Sequence, residues 1–200
     1  MGIENRDYTL ILDKSGSMAT MDVNGKSRWE SVRESTLALA NKISTLDPDG
    51  ITVYVFSGKH ARYDNVTPDK VMQIFKEHEP MGSTNLAGVL THAFEDWNKR
   101  KKAGQLKTGD TILVVTDGEP DDRKSVASAI KSVSQNMDSD EELAVSFLQI
   151  GNDSSASSYL KSLDDDLVAA GAKFDIVDTK TFDQLEGMTI TEALLAAISD

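Results

Sequence analysis

Asp13, Ser15 and Ser17 stand at alternate positions directly after Tyr8-Thr9-Leu10-Ile11-Leu12, a run of β-formers, and Gly16 between the serines lets the backbone turn sharply. One carboxylate and two hydroxyls are all hard oxygen donors. They suit a hard cation such as Mg²⁺, which asks for an octahedron of oxygens at about 2.0 to 2.1 Å. Three residues do not fill that shell, so such a site requires oxygens from elsewhere in the chain. Two later stretches offer them. Pro80-Met81-Gly82-Ser83-Thr84-Asn85 is rich in turn and hydroxyl residues, and Thr111-Ile112-Leu113-Val114-Val115-Thr116 is a second apolar run that ends in Asp117-Gly118.

The elements that must position these oxygens follow from hydrophobic periodicity. Met18 to Ser27 carries Asp22, Asn24 and Gly25 and reads as a loop. Trp29, Val32, Thr36, Leu39, Ala40, Ile43 and Leu46 recur at three and four, a helix that Asp47-Pro48-Asp49-Gly50 stops. Ile51 to Phe56 is a strand covered on both faces, and the short polar stretch Ala61 to Val66 is an edge strand. Thr67-Pro68 opens a short helix on Val71, Ile74 and Phe75. Leu86, Val89, Leu90, Ala93, Phe94 and Trp97 give the clearest amphipathic helix, with Thr84 or Asn85 as its cap.

Beyond the Thr111 to Thr116 strand, Val126, Ala129, Ile130, Val133 and Met137 mark a helix capped by Asp121 or Asp122. Ala144 to Ile150 reads as a strand, Tyr159, Leu160, Leu163 and Leu167 as a helix, and Phe174 to Val177 as a strand. Thr189-x-x-Glu192 is a capping box that opens a terminal helix on Ile190, Ala193, Leu194, Ala197 and Ile198. Six strands alternating with helices imply an α/β, doubly wound, mostly parallel sheet with helices on both faces. In such a sheet ligands bind beyond the carboxyl ends of the strands, where strand order reverses. Asp13 and Asp117 both lie at such ends, and they converge on one crevice if their strands are central neighbours.

Composition sets the outer limits. The 200 residues are 39% hydrophobic and 27% charged, as in a soluble globule, and one domain over 1–200 is expected. There is no cysteine, hence no disulfide framework and no thiolate site. The start of the chain holds no apolar signal core and no run is long enough to span a bilayer, so a cytoplasmic address is expected, with no membrane partner. A net charge of −12 argues against a nucleic-acid partner. The basic run Lys99-Arg100-Lys101-Lys102 falls near a helix end, where cations complement the dipole. His60, His78 and His92 are scattered and read as packing or solvent-facing residues; Met72, Met81, Met137 and Met188 read as core or rim filler.

Taken singly, the oxygen-bearing residues have ordinary uses in caps and turns. Together, Asp-x-Ser-x-Ser after one hydrophobic strand, Gly82-Ser83-Thr84 before a helix and Thr116-Asp117-Gly118 after a second strand resemble, in that order, the metal ion-dependent adhesion site of von Willebrand factor type A domains. The resemblance covers nearly the whole chain and implies a sheet with one short antiparallel edge strand. It implies that Ser15, Ser17 and Thr84 give hydroxyl oxygens to a divalent cation, with Asp13 and Asp117 binding directly or through water. Mg²⁺ is the expected ion, with Mn²⁺ and Ca²⁺ as alternatives. The open coordination position suits a Glu or Asp carboxylate of a partner protein. Glu119, Asp121 and Asp122 follow closely enough to rim such a site.

Two other classes compete. A phosphoryl-transfer enzyme using Asp13 as nucleophile would want a second carboxylate at position 15, which is serine, and the chain has no phosphate cradle or nucleophile elbow. A non-enzymatic domain is therefore expected. The other alternative is a structural subunit of a multiprotein assembly in which the metal site does not switch.

Overall fold

A computed structural model describes residues 6–21, 25–44, 50–181 and 190–197. In chain order the elements are β1 (Arg6–Asp13), α1 (Arg28–Ser44), β2 (Ile51–Phe56), β3 (His60–Val66), α2 (Pro68–Glu77), α3 (Leu86–Lys102), β4 (Gly109–Thr116), α4 (Arg123–Gln135), β5 (Leu143–Gln149), α5 (Ser154–Asp166), β6 (Val177–Lys180) and α6 (Ile190–Ala197). The strands form one sheet in the order β3-β2-β1-β4-β5-β6. Every pairing is parallel except β2 with β3, so the short polar strand is an antiparallel edge. Among the described residues no helix is long and apolar enough to cross a membrane.

Side-chain alternation sorts the two central strands between two cores. Ile11, Ile112 and Val114 face the layer built by α3, α4 and α5, with Trp97, Ile130 and Leu160 in it. Leu10, Leu12, Leu113 and Val115 face the other, built by α1, α2 and α6, with Trp29, Val32 and Ile74 in it. All eight residues of β4 are buried. Each Val, Leu or Ile so buried contributes about 1.5–3 kcal/mol, which makes the paired β1 and β4 a stiff platform. The chain winds outward from β1 through β2 to β3, then returns to β4 on the other side of β1, so strand order reverses between β1 and β4. Leu12 pairs with Val115, which sets Asp13 and Thr116 side by side at the carboxyl edge of the reversal.

Helix ends are closed by the expected chemistry. Asn85 caps α3 by accepting from Gly88 N–H, and Asp122 caps α4 by accepting from Ser125 N–H at 3.0 Å. The basic run at the end of α3 also holds the fold together. Arg100 donates to Asp7 at 3.1 Å and to Asp96 at 3.2 Å, and it pairs with buried Asp110. Lys101 reaches Asp138 and Glu142.

Three expectations need correcting. The last strand is Val177–Lys180, not Phe174 to Val177: Phe174 and Ile176 pack on the core from the connection before it, so their apolarity marked burial, not pleat. The segment after Ser17 begins inside a single 3₁₀ turn, Gly16–Ala19, because Met18 is fully buried and pulls the chain inward. Met21 and Ser27 then pair as an isolated antiparallel bridge. Met72 and Met81 are exposed, whereas Met137 is core. Leu46, Met188, Thr189 and Ile198 lie outside the described residues.

Candidate metal centre

β1 delivers Asp13 to the carboxyl edge of the sheet with no solvent exposure. Its Oδ1 accepts the backbone N–H of Ser15 at 2.7 Å, and its Oδ2 accepts the hydroxyl of Thr116 at 2.7 Å. The first bond fixes the turn out of the strand; the second ties β1 to β4. Ser15, also buried, places its Oγ 3.1 Å from that of Ser17. Ser17 Oγ in turn donates to Asp117 Oδ1 at 2.7 Å. A continuous set of hydrogen bonds thus joins Ser15, Ser17 and Asp117 beside Asp13.

Thr84 arrives from the loop before α3, which is strapped to both of the others by backbone. Met81 N–H donates to Lys14 O at 2.7 Å, and Gly16 N–H donates to Gly82 O at 3.1 Å. Gly82 has a φ of +87°, a conformation that a side chain would disfavour, so the glycine lets this carbonyl turn toward Gly16. Asp121 closes the third side. Its Oδ1 accepts Thr84 N–H and its own N–H donates to Thr84 O, each at 3.0 Å. The fold therefore gathers Asp13, Ser15, Ser17 and Asp117 into one cluster and brings Thr84 to the same crevice through the backbone of its loop.

The electrostatics are unequal across the two carboxylates. Burial pushes the Asp13 carboxyl up to about 6, against the opposing pull of the donors Thr116 and Ser15 and with help from the nearby charge of Asp117. Among the described residues Asp13 has no ion-pair partner. Asp117 is different: Arg28 Nη1 donates to its Oδ2 at 2.7 Å, forming an ion pair that is fully buried on the aspartate side. A buried carboxylate without a counter-charge costs several kcal/mol unless a ligand supplies one. The donor set of two carboxylates and three hydroxyls has the hardness and charge that a divalent cation of the Mg²⁺ type requires. No group of three or more His, Cys, Asp or Glu that could hold a metal occurs among the described residues.

Sequence reasoning missed several participants. Thr116 belongs to the Thr116-Asp117-Gly118 motif but was given no role of its own, and its hydroxyl is a donor to Asp13. Arg28 left a signal: it is the first residue of α1, where the helix dipole disfavours a cation, so a specific anionic partner had to hold it there. Asp121 and Asp122 were indistinguishable as caps, yet Asp122 caps α4 while Asp121 anchors Thr84. Glu119 is taken up by Arg123 at 2.8 Å. Two of the three histidines are not scattered. His60 and His92 meet with ring centroids 4.9 Å apart, and Tyr54 Oη lies 3.0 Å from His92 Nδ1. His78 pairs with Tyr63 Oη at 2.8 Å and accepts Trp29 Nε1–H through its carbonyl at 3.2 Å, both packing roles.

A doubly wound sheet with one antiparallel edge, and oxygen-bearing loops gathered where its strand order reverses, defines a class of domain in which ligand capture belongs to the loops. The chain belongs to the von Willebrand factor type A domain family, whose match runs over residues 8–119. The SpRpn10 VWA domain has a similar fold, with a TM-score of 0.64, 14% identity, and coverage of 89% of this chain and 88% of that one. The PilB minor pilin from Streptococcus sanguinis is similar over 96% of this chain at a TM-score of 0.63 and 15% identity; this chain spans 60% of the pilin's length. The manganese-loaded Plasmodium vivax TRAP protein gives a TM-score of 0.57 and 16% identity, covering 98% of this chain and 74% of that one. No curated protein matches. At these identities the likeness is one of fold. Domains of this family commonly serve as protein-interaction modules.

Proposed function

We propose that this domain is a non-enzymatic module that binds a partner protein through a divalent cation held by Asp13, Ser15, Ser17, Thr84 and Asp117. Mg²⁺ is the ion that the donor set favours, with Mn²⁺ and Ca²⁺ as alternatives. The observation that carries the reading is the buried Asp13 carboxylate, which has hydroxyl oxygens beside it and no ion-pair partner among the described residues. A bound cation would supply a Lewis-acidic position that accepts a Glu or Asp carboxylate from the partner. The chain's own residues do the rest: Ser15 and Thr116 orient Asp13, Ser17 orients Asp117, and Asp121 holds the Thr84 loop in place. The manganese-loaded TRAP protein, similar in fold, supports a metal in this type of domain. The same reading has the module acting in the cytoplasm, without nucleic acid or membrane.

Catalysis has less support. Asp13 has both oxygens engaged and is fully buried, and residue 15 offers no second carboxylate for acid–base work. The structural-subunit alternative keeps the same cation site but gives it no part in capturing a partner.

The test is an array of peptides carrying one glutamate, each matched by its glutamine counterpart, probed with the domain in Mg²⁺ and in EDTA. Capture of glutamate peptides that needs Mg²⁺ and disappears in Asp13→Ala and Thr84→Ala supports the proposal, provided that circular dichroism shows both variants folded. Binding that ignores EDTA and both substitutions favours the structural subunit.

A further inference from the structure

Asp117 has neither oxygen free: Ser17 donates to Oδ1 and Arg28 to Oδ2, both at 2.7 Å. Arg28 is itself closely held. Its side chain is 18% exposed, and the Arg28 backbone N–H donates to Thr20 O at 2.9 Å. Gly151, after β5, makes room for it. That residue has a φ of +77°, and a Cβ there would lie 2.5 Å from Nη2 of Arg28. A side chain at position 151 would therefore displace the guanidinium. Three segments far apart in sequence are shaped around a cation that opens a helix at the end where the dipole opposes it.

Resting on the reading proposed above, we infer that Arg28 is the specificity-determining residue that makes the site demand an anionic partner. Arginine stays charged throughout the accessible pH range. Paired with Asp117, it leaves the cluster of Asp13 and Asp117 with one net negative charge instead of two. A divalent cation then leaves one net positive charge, which a single carboxylate cancels. Without Arg28 the two aspartates would neutralise the cation by themselves, and the attraction for an outside carboxylate would be lost. Arg28 thus weakens the grip on the cation and strengthens the grip on the guest.

The inference predicts opposite changes in two affinities. Arg28→Gln should bind Mg²⁺ at least about tenfold tighter by calorimetry, because a unit charge acting on a dication through a medium of moderate dielectric exceeds that factor. The same variant, saturated with Mg²⁺, should bind acetate at least about tenfold more weakly, with amide chemical shifts of residues 116–121 as the readout. Arg28→Lys keeps the charge, so both affinities should stay within about threefold of wild type. If Arg28→Gln leaves both affinities unchanged, or moves them in the same direction, the inference is overturned while the metal-site reading stands. A lysine variant whose cation affinity rises and whose acetate affinity falls also overturns it, and it decides the matter should the glutamine variant not fold. A wild-type protein that takes up no Mg²⁺ overturns the metal-site reading itself.

Discussion

Replacing Asp13 with asparagine should make the metal-free protein more stable, although it removes the centre of the candidate site. Burial pushes the folded-state carboxyl up to about 6, from an ordinary value of 3.8. That rise corresponds to about 3 kcal/mol, a penalty that the native state bears at pH 7 for keeping this group ionised. The sign follows from proton binding: between about pH 4 and 6 the native state holds a proton that the unfolded chain has released, so stability falls as pH rises through that window. Asparagine has the same shape and can still accept the Ser15 N–H. Thr116 must turn its hydroxyl from Asp13 Oδ2 toward Gly118 O, which already lies 3.4 Å away, at a cost of about 1 kcal/mol. The net gain is about 2 kcal/mol at pH 7, or roughly 4–8 °C in Tm for a chain of this length. At pH 5 about half of the wild-type penalty has gone, and the gain should drop below about 1 kcal/mol. Thermal melts of both proteins in EDTA at the two pH values measure this directly. An Asp13→Asn protein destabilised equally at pH 7 and pH 5 would refute the reasoning, because burial would then not be straining the charge.

Other expectations follow from the same geometry. Cation affinity should fall as pH drops through about 6, since Asp13 must give up its proton to bind; calorimetric titration should show about a tenfold loss from pH 7 to pH 5. Asp121→Ala removes the acceptor that holds Thr84 N–H, so Mg²⁺ affinity should fall severalfold while circular dichroism stays unchanged. Asn85→Ala deletes the α3 cap and should cost about 1 kcal/mol, read as a drop in urea midpoint without a change in slope.

Much of the fold was legible because the central strands are apolar on both faces and the helices amphipathic on one. The last strand was misplaced for the same reason that the others were found: hydrophobicity reports burial, and Phe174 and Ile176 are buried without being in the pleat. The convergence of Asp13 and Asp117 was legible from strand ends only on the condition that their strands are central neighbours, which the pairing of β1 with β4 supplies. Thr84 could be assigned to the crevice only by motif. Its backbone is fixed there by Lys14, Gly16 and Asp121 through bonds that no local pattern encodes. Arg28 with Asp117, and His60 with His92, are pairings across distant segments. Local propensity is silent about such pairs, apart from the unfavourable placement of Arg28 at a helix start.

The central claim is that oxygens from three distant loops hold one divalent cation. Calorimetric titration of Mg²⁺ into the wild-type chain and into Thr84→Ala, at pH 7, tests it most directly, because Thr84 is the donor whose loop is joined to the others, among the described residues, by backbone ties and Asp121. One Mg²⁺ per wild-type chain, with binding at least about tenfold weaker in the folded variant, is the predicted result. No uptake by the wild type, or the same uptake by both proteins, would contradict it.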